Sequence, residues 1–236
     1  MKPTRRTTSV LARITLALTA STSLGVLFAA GGSYPARPSG AENKYIGADK
    51  CKSCHGSADS GDQYGHWKGT DHAKAFEHLA SDEAKKVGAQ RGAENPQKND
   101  ACLSCHVTAF GLPEDKIKKG FDRSLGVQCE SCHGPGELHV KARFAAAAKG
   151  DAPEVYVEIP EDEIVKVPRQ DVCKTCHNEA APNFKRFCYY EGLAKIRHLN
   201  PKKPRDPSSV LVCGCKAPCS CTRGCPDSGC GKPPKQ

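Results

Sequence analysis

Four short motifs place two cysteines and a histidine within five residues of each other. Each has the form Cys-x-x-Cys-His, and chance predicts roughly 0.04 copies in a chain of this composition. Two thiols followed by an imidazole suit three chemistries: a zinc site, a redox disulfide, or covalent attachment of haem. The residues concerned are Cys51, Cys54 and His55; Cys102, Cys105 and His106; Cys129, Cys132 and His133; and Cys173, Cys176 and His177.

The spacing within the motifs favours haem. Two residues between the thiols let both sulfurs reach the two vinyl groups of one haem, and the adjacent histidine then faces the iron. Zinc sites use paired cysteines but have no need of a histidine directly after the second one in every copy. Thioredoxin-like chemistry needs one motif on a βαβ scaffold, which this sequence does not indicate. The motifs therefore predict four covalently attached haems c, each with a proximal histidine on its iron.

The ligand on the other side of each iron decides between electron transfer and chemistry on a bound molecule. The single methionine is Met1, so no haem is expected to have histidine–methionine ligation. Any second ligand is then a histidine. With five spare histidines for four irons, capping of every iron is arithmetically possible. The candidates are His66, His72, His78, His139 and His198.

Chain geometry separates some of these candidates. His139 lies six residues after His133, a reach of at most about 21 Å. Returning to the opposite face of the same porphyrin would nearly exhaust that reach, so His139 is expected to cap a neighbouring haem. His66 and His78 lie six residues either side of His72 and cannot share its helical face. Both are interpreted as non-ligands.

Several stretches in order resemble the tetrahaem cytochrome c-554 family, electron carriers of nitrifying and related bacteria. The resemblance covers roughly residues 45 to 200. It implies that three haems are bis-histidine and that the second, bound through His106, is five-coordinate. It also implies that His72, His139 and His198 are the distal ligands. The matching stretches are residues 51–55, 66–76 (HWKGTDHAKAF), 101–111 (ACLSCHVTAFG) and 126–136 (GVQCESCHGPG), followed by the fourth motif.

The composition predicts an unusual core. Only 38% of the residues are hydrophobic and 6% aromatic, which is little apolar material for a conventional fold. The expected fold is mainly α, with short helices and loops wrapped around a core of covalently bound haems and little β structure. Helices are predicted at residues 72–79, with Thr70 or Asp71 as cap, and at 82–87, 137–149 and 184–199. The run 155–159 is the one strand-like stretch.

Four regions are predicted along the chain. Residues 1–30 combine a basic start with an apolar stretch and indicate a cleaved signal peptide or an N-terminal membrane anchor. A linker covers residues 31–44, the tetrahaem domain residues 45–200, and a Pro/Lys-rich break with a Cys-rich tail residues 201–236. We therefore expect a periplasmic or otherwise exported protein. The net charge of +9 is dispersed among acidic residues, so no nucleic-acid partner is expected.

The tail contains six cysteines and no histidine, which excludes haem attachment there. Its Cys-x-Cys pattern is compatible with a soft-metal thiolate cluster, with a disulfide knot outside the cytoplasm, or with an extension that has no function. The cysteines are Cys213, Cys215, Cys219, Cys221, Cys225 and Cys230.

These features predict an exported tetrahaem cytochrome that relays electrons, with a carrier favoured over an enzyme. The resemblance implies redox partners such as a multihaem oxidoreductase on one side and a quinone-linked or small cytochrome on the other, in nitrogen-compound oxidation or respiration. Two alternatives stay open. One is reduction of a small nitrogen oxide at a five-coordinate His106 haem, and the other is metal handling or docking through the tail.

Overall fold

The described part of the chain is helical. The computed structural model describes residues 42–150, 158–160, 162–185 and 187–203. The predicted signal segment, most of the linker, the strand-like run at 155–157 and the Cys-rich tail lie outside these residues. The helices are α1 (Ala48–His55), α2 (Gln63–Lys68), α3 (Ala75–His78), α4 (Asp82–Ala89), α5 (Asp100–His106), α6 (Cys129–His133), α7 (Glu137–Ala148), α8 (Gln170–Lys174) and α9 (Tyr189–Ile196).

Short 3₁₀ turns complete the regular structure. They lie at Ala58–Ser60, Pro96–Lys98, Glu114–Lys116 and Arg123–Leu125. The β structure of the described residues is a single parallel bridge between Tyr45 and Ile117. The prediction of a mainly α fold with little β is confirmed. None of the described helices is both long and apolar enough to cross a membrane.

Each haem motif begins on a helix, which explains its spacing. Positions i, i+3 and i+4 of a helix share one face. In α1, α5 and α6 the two cysteines and the histidine occupy these three positions. In the fourth motif, α8 ends at Lys174 and the second cysteine and the histidine lie in the turn that follows.

The starts of these helices are capped in two ways. The Asn99 side chain accepts the Cys102 backbone N–H at 3.3 Å and so begins α5 locally. The N-cap residue of α1 is Gly47, which has no side chain to accept a backbone N–H. Two side chains in or next to the third motif accept its first backbone N–H groups instead. Gln128 accepts the Ala48 N–H and Glu130 accepts the Gly47 N–H, each at 2.8 Å.

Two helix predictions agree with the structure and two differ. Helices α4 and α7 lie where the sequence predicted them. Helix α3 begins at Ala75 rather than at His72. The His72 carbonyl accepts the Ala75 N–H at 3.2 Å, which forms a turn, and the Val127 N–H at 2.9 Å, so it makes no i→i+4 helical bond. Helix α9 begins after Cys188 and ends at Ile196, so Cys188 and His198 lie outside it although the sequence predicted a helix over 184–199. Past its end the backbone is extended, and His198 reaches the third motif.

The largest fully buried side chains of the described residues are polar. Thr108, Gln128 and Glu130 are each 1% exposed. The apolar cluster consists of Ala48, Trp67 and Ala73, with Tyr64, Leu125 and Cys129 packed against it. Trp67 is the one large side chain at its centre. This small core agrees with the expectation that cofactors supply most of the apolar interior.

Candidate functional site

The predicted proximal and distal histidines meet in three pairs. In each pair one ring belongs to a Cys-x-x-Cys-His motif and the other comes from a different part of the chain. The ring centres are 6.2 Å apart for His55 and His139, 6.0 Å apart for His72 and His177, and 5.9 Å apart for His133 and His198. All three distal candidates are therefore brought to a motif other than the nearest one along the chain.

Two imidazoles that bind one metal from opposite sides need a separation of this size. A metal–nitrogen bond is about 2 Å long. The centre of a five-membered ring lies about 1.1 Å behind the bonded nitrogen. Two such ligands facing each other therefore have ring centres about 6 Å apart. The donor set, two thiols on one helical face beside a pair of facing imidazoles, fits a covalently attached haem.

His106 differs from the other three motif histidines. Its ring pairs with no other histidine ring among the described residues, and its Nδ1 donates to the Ala75 carbonyl at 2.7 Å. A cavity of about 230 Å³ lies beside it, lined by its neighbours Leu103 and Val107 and by Phe76, Phe110, Gln97, Gly111 and Arg123. The lining is largely apolar. This cavity and the lack of a histidine partner among the described residues distinguish His106 from the other three motif histidines.

Hydrogen bonds at Nδ1 orient most of the predicted ligands. A neutral imidazole that donates from Nδ1 keeps Nε2 as the atom able to bind a metal. The acceptors are mostly neutral. They are Gln63 Oε1 for His55 (3.3 Å), Val165 O for His133 (2.5 Å), Ile196 O for His198 (3.1 Å) and the carboxylate of Glu163 for His139 (2.7 Å).

Burial also favours the metal-binding form of these rings. Removal from water disfavours the imidazolium ion and lowers the pKa of a histidine. Burial is the largest cause of a lowered pKa at His55, His72, His133 and His198, and neighbouring histidines lower it further at each. Only a neutral imidazole can coordinate a metal. These sites therefore hold histidine in the state that iron requires.

The motif cysteines also approach one another across motifs. Contact with the Cys129 thiol raises the pKa of Cys51, and contact with the Cys105 thiol raises the pKa of Cys176. Burial, followed by the nearby Cys173 thiol, raises the pKa of Cys132 to about 12. The first motif therefore adjoins the third, the third adjoins the fourth, and the fourth adjoins the second. None of the eight motif cysteines is in a disulfide.

Two spare histidines take no part in these pairs. His66 and His78 are both exposed, and neither ring stacks on another histidine among the described residues. This is the arrangement expected of non-ligands. No three His, Cys, Asp or Glu side chains within the described ranges converge as a metal cluster.

Two buried donors indicate that an acidic group belongs nearby. Arg143 Nε and Gln170 Nε2 are buried and have no hydrogen-bond partner within the described part of the chain. Such groups are rare because each costs about 1–3 kcal/mol. A haem carries two propionates, which are acceptors of the kind these donors need. The residues present fit the cofactor in this respect too.

Sequence reasoning missed the residues that orient the ligands. Gln63, Glu163 and the carbonyls of Ala75 and Val165 belong to no motif, and all but Gln63 are distant in sequence from the histidine they contact. Only Gln63 was within reach of a sequence argument, since it lies one short loop after His55. Glu163 stands in an ordinary acidic run.

Comparison with known proteins identifies the region that carries the first three motifs. Residues 50–134 match the family described as Cytochrome c554 and c-prime. That stretch, which is about a third of the chain, is similar to the cytochrome c554 family.

A curated relative and a solved structure are similar to this chain. Cytochrome c-554 of Nitrosomonas europaea is 39% identical over 101 residues, which are 41% of this chain and 40% of that protein. The chain thus matches about two fifths of the length of this relative. The solved structure of the reduced state of cytochrome c554 from Nitrosomonas europaea is 28% identical, with a TM-score of 0.41 over 71% of this chain and 76% of that one.

Proposed function

We propose that this protein is an exported tetrahaem c-type cytochrome that relays electrons between redox partners. The observation that carries the proposal is the set of three histidine pairs, with ring centres 5.9–6.2 Å apart, each joining a motif histidine to a residue from elsewhere in the chain. Four motifs with this donor chemistry support a count of four haems. The proposal keeps the tetrahaem domain at residues 45–200.

The roles of the residues follow from their chemistry. The eight motif cysteines form the thioether links, and His55, His106, His133 and His177 are proximal ligands. His139, His198 and His72 are the distal ligands of the first, third and fourth haems. Haem iron, when bound, supplies a one-electron couple of low potential because both axial ligands are histidine and no methionine is available.

The chain's own part in electron transfer is to hold these ligands still. Five of the seven imidazoles make a hydrogen bond at Nδ1, and the His177 ring stacks on Phe187. We propose that these contacts keep the ligands in place before and after an electron arrives. The thiol contacts support a relay in the order first, third, fourth and second motif. We propose that partners exchange electrons at the two ends of this series.

The partners and location belong to the same proposal. A multihaem oxidoreductase is the proposed donor and a quinone-linked or small cytochrome the proposed acceptor, in nitrogen-compound oxidation or respiration. The composition of residues 1–30 supports export through a cleaved signal peptide or an N-terminal anchor. The composition of residues 31–44 supports a linker.

Haem counting and spin-state spectroscopy test the proposal. The purified full chain is expected to hold four haems by pyridine haemochrome assay and intact mass. Ferric EPR is expected to show three low-spin haems and one high-spin haem. In His198→Ala one low-spin signal is expected to become high-spin, while His66→Ala, which changes an exposed histidine, leaves the spectrum as it was. Fewer than four haems, or an unchanged spectrum in His198→Ala, would contradict the proposal.

A second candidate function rests on His106. Its ring has no histidine partner within the described part of the chain, and an apolar cavity lies beside it. These features suit binding and reduction of a small nitrogen oxide. Nitric oxide added to the reduced protein should then bind one haem in four and be consumed as haem is reoxidised. Four low-spin bis-histidine signals would exclude this activity.

The third candidate function, metal handling through the Cys-rich tail, concerns residues outside the described ranges. Deletion of residues 208–236 followed by metal analysis of both proteins tests it. Loss of a bound soft metal with retention of four haems would support it, and equal metal content would oppose it.

A further inference from the structure

One predicted iron ligand differs from the others in what its ring contacts. His139 Nδ1 donates to a carboxylate oxygen of Glu163 at 2.7 Å. Where the other predicted ligands make an Nδ1 hydrogen bond within the described residues, the acceptor is a neutral carbonyl or amide oxygen. Among the described residues, His139 is therefore the one predicted ligand whose Nδ1 hydrogen bond goes to a negatively charged group.

The Glu163 carboxylate is held by a second contact. Its other oxygen accepts from Arg143 Nη2 at 2.7 Å. Arg143 lies one helical turn after His139 on α7, so both residues are on the same face. Glu163 bridges them from the segment before the fourth motif. The carboxylate is thereby fixed in position, and the Arg143 charge makes its burial tolerable.

The same segment also orients a ligand of another predicted iron. Two residues after Glu163, the Val165 carbonyl accepts from His133 Nδ1 at 2.5 Å, and the Val165 N–H donates to the His133 carbonyl at 3.2 Å. Residues 163–165 thus touch one ligand of the first haem site and one of the third. At the first site they present a charge, and at the third a neutral dipole.

Burial makes that difference consequential. The side chains of Glu163 and His139 are 9% and 14% exposed. In such an environment a charge is screened far less than in water. A hydrogen bond to an ionised acceptor is roughly twice as strong as one between neutral groups. A carboxylate on the outer nitrogen of a ligating histidine raises the basicity of the ligand, and a more basic ligand stabilises ferric over ferrous iron.

We infer that Glu163 is a positioning residue that gives the His139 imidazole partial anionic character and makes the iron between His55 and His139 the hardest to reduce of the three bis-histidine sites. This inference rests on the proposed function, because it requires His139 to be an iron ligand. Glu163 acts through His139 and forms no bond to iron.

Glu163→Gln in the full-length holoprotein tests the inference. Glutamine is nearly the same shape and still offers an acceptor oxygen, but it carries no charge. The relative stability of ferric iron at this site is expected to fall about tenfold, at the lower end of the range for outer-shell substitutions. For a one-electron couple, tenfold corresponds to a rise of about 59 mV. Potentiometric titration followed optically should show one couple rising by this amount while the others move much less.

Three controls separate tuning from structural damage. Glu163→Asp retains the charge and is expected to keep the native potentials. Glu191→Gln removes the same charge from an exposed position on α9 and is expected to shift no single couple selectively. Arg143→Gln removes the counter-charge and is expected to move the same couple downward, which provides a second test if Glu163→Gln does not fold.

The outcomes also distinguish this inference from the proposed function. Four haems with three low-spin signals and one selectively raised couple would support both. The same haems and spin states with no selective shift in Glu163→Gln would overturn the tuning role and leave the proposed ligands intact. Conversion of one haem to high-spin in Glu163→Gln but not in Glu163→Asp would show that Glu163 only holds His139 in place, which also overturns it. Wild-type protein without three low-spin haems would overturn the proposed function itself.

Discussion

Residues 42–150 and residues 158–203 are held in place by different means. The first, which we call the N-terminal region, has a buried polar network centred on Glu130 and Gln128 and an apolar cluster around Trp67. The second, the C-terminal region, has Cys188 and Leu193 as its buried hydrophobic side chains among the described residues. Its links to the N-terminal region run largely through predicted iron ligands.

Three of those links involve histidine. His177 faces His72, His198 faces His133, and Glu163 contacts His139. The stretch that matches the cytochrome c554 family, residues 50–134, lies wholly in the N-terminal region. The difference suggests that a chain with few apolar residues can order one region through protein contacts and a second one through its cofactors. The predictions below test that division, in decreasing order of effect.

Removing the fourth haem should release the C-terminal region. Cys173→Ala with Cys176→Ala is expected to leave three haems per chain and to speed proteolysis within residues 158–203 by at least about tenfold, because the His72–His177 link is lost. Limited proteolysis with mass spectrometry measures this. Cys51→Ala with Cys54→Ala also leaves three haems but should keep the N-terminal region resistant. Equal protection of both regions in both variants would refute the division.

Glu130→Ala should destabilise the N-terminal region most among single substitutions that leave every motif cysteine and histidine in place. Glu130 is 1% exposed and accepts the backbone N–H groups of Ile46, Gly47 and Gly136 at 2.7–2.9 Å. Leaving these donors without an acceptor is expected to lower the free energy of unfolding by about 3 kcal/mol. Denaturant titration followed by circular dichroism measures the loss.

The control for Glu130→Ala is Glu83→Ala on the exposed side of α4. That change is expected to stay within about 0.5 kcal/mol of wild type. A comparable loss in both variants would mean that the buried network does not support the N-terminal region.

Gly126→Ala should disturb the junction between the regions. Gly126 has φ +71°, and an added Cβ would lie 2.7 Å from the His72 carbonyl oxygen. Strain and displacement of His72 are expected to cost about 2 kcal/mol and to weaken the low-spin signal of the haem site between His72 and His177. Gly120→Ala is the matched control, since Gly120 has φ +87° but open space around its Cα. An intact low-spin signal in Gly126→Ala would show that the His72 backbone tolerates the shift.

Trp67→Phe should have the smallest effect. The Trp67 indole donates to the Val127 carbonyl at 2.8 Å, and phenylalanine keeps most of the apolar contact while losing that bond. The expected loss in the free energy of unfolding is about 1 kcal/mol. Tyr64→Phe, which removes an exposed hydrogen bond to Asp49, should change stability by less than half of that. The reverse order would contradict the role of Trp67 in the cluster.

The spacing of residues along the chain was enough to predict features that lie within one helical turn. The cysteines and histidine of each motif need only one helical turn, so their arrangement could be derived from sequence. The reach from His133 to His139 was enough to predict that His139 serves another motif. The identity of that motif, which contains His55, depends on how α1 and α7 come together and lies beyond any local pattern.

The features that the sequence did not predict correctly also depend on contacts between distant parts of the chain. The His72 backbone is drawn to Val127, and His198 lies beyond the end of α9, because tertiary contacts outweigh helix propensity at these two positions. Glu163 carries no signal in the sequence, since an acidic residue in a loop is ordinarily a solvated one. Its contact with His139 becomes visible only when residues 139 and 163 are brought together.

The pairing of distant histidines also determines the order in which the pairs can form as the chain is synthesised. The partner of His55 is synthesised only with α7, and the partner of His133 only after α9. At about 5–20 residues per second, His55 waits roughly 4–17 s for His139 to be translated. During that interval His55 has no His139 to pair with. The last of the three histidine pairs can therefore form only once His198 has been made.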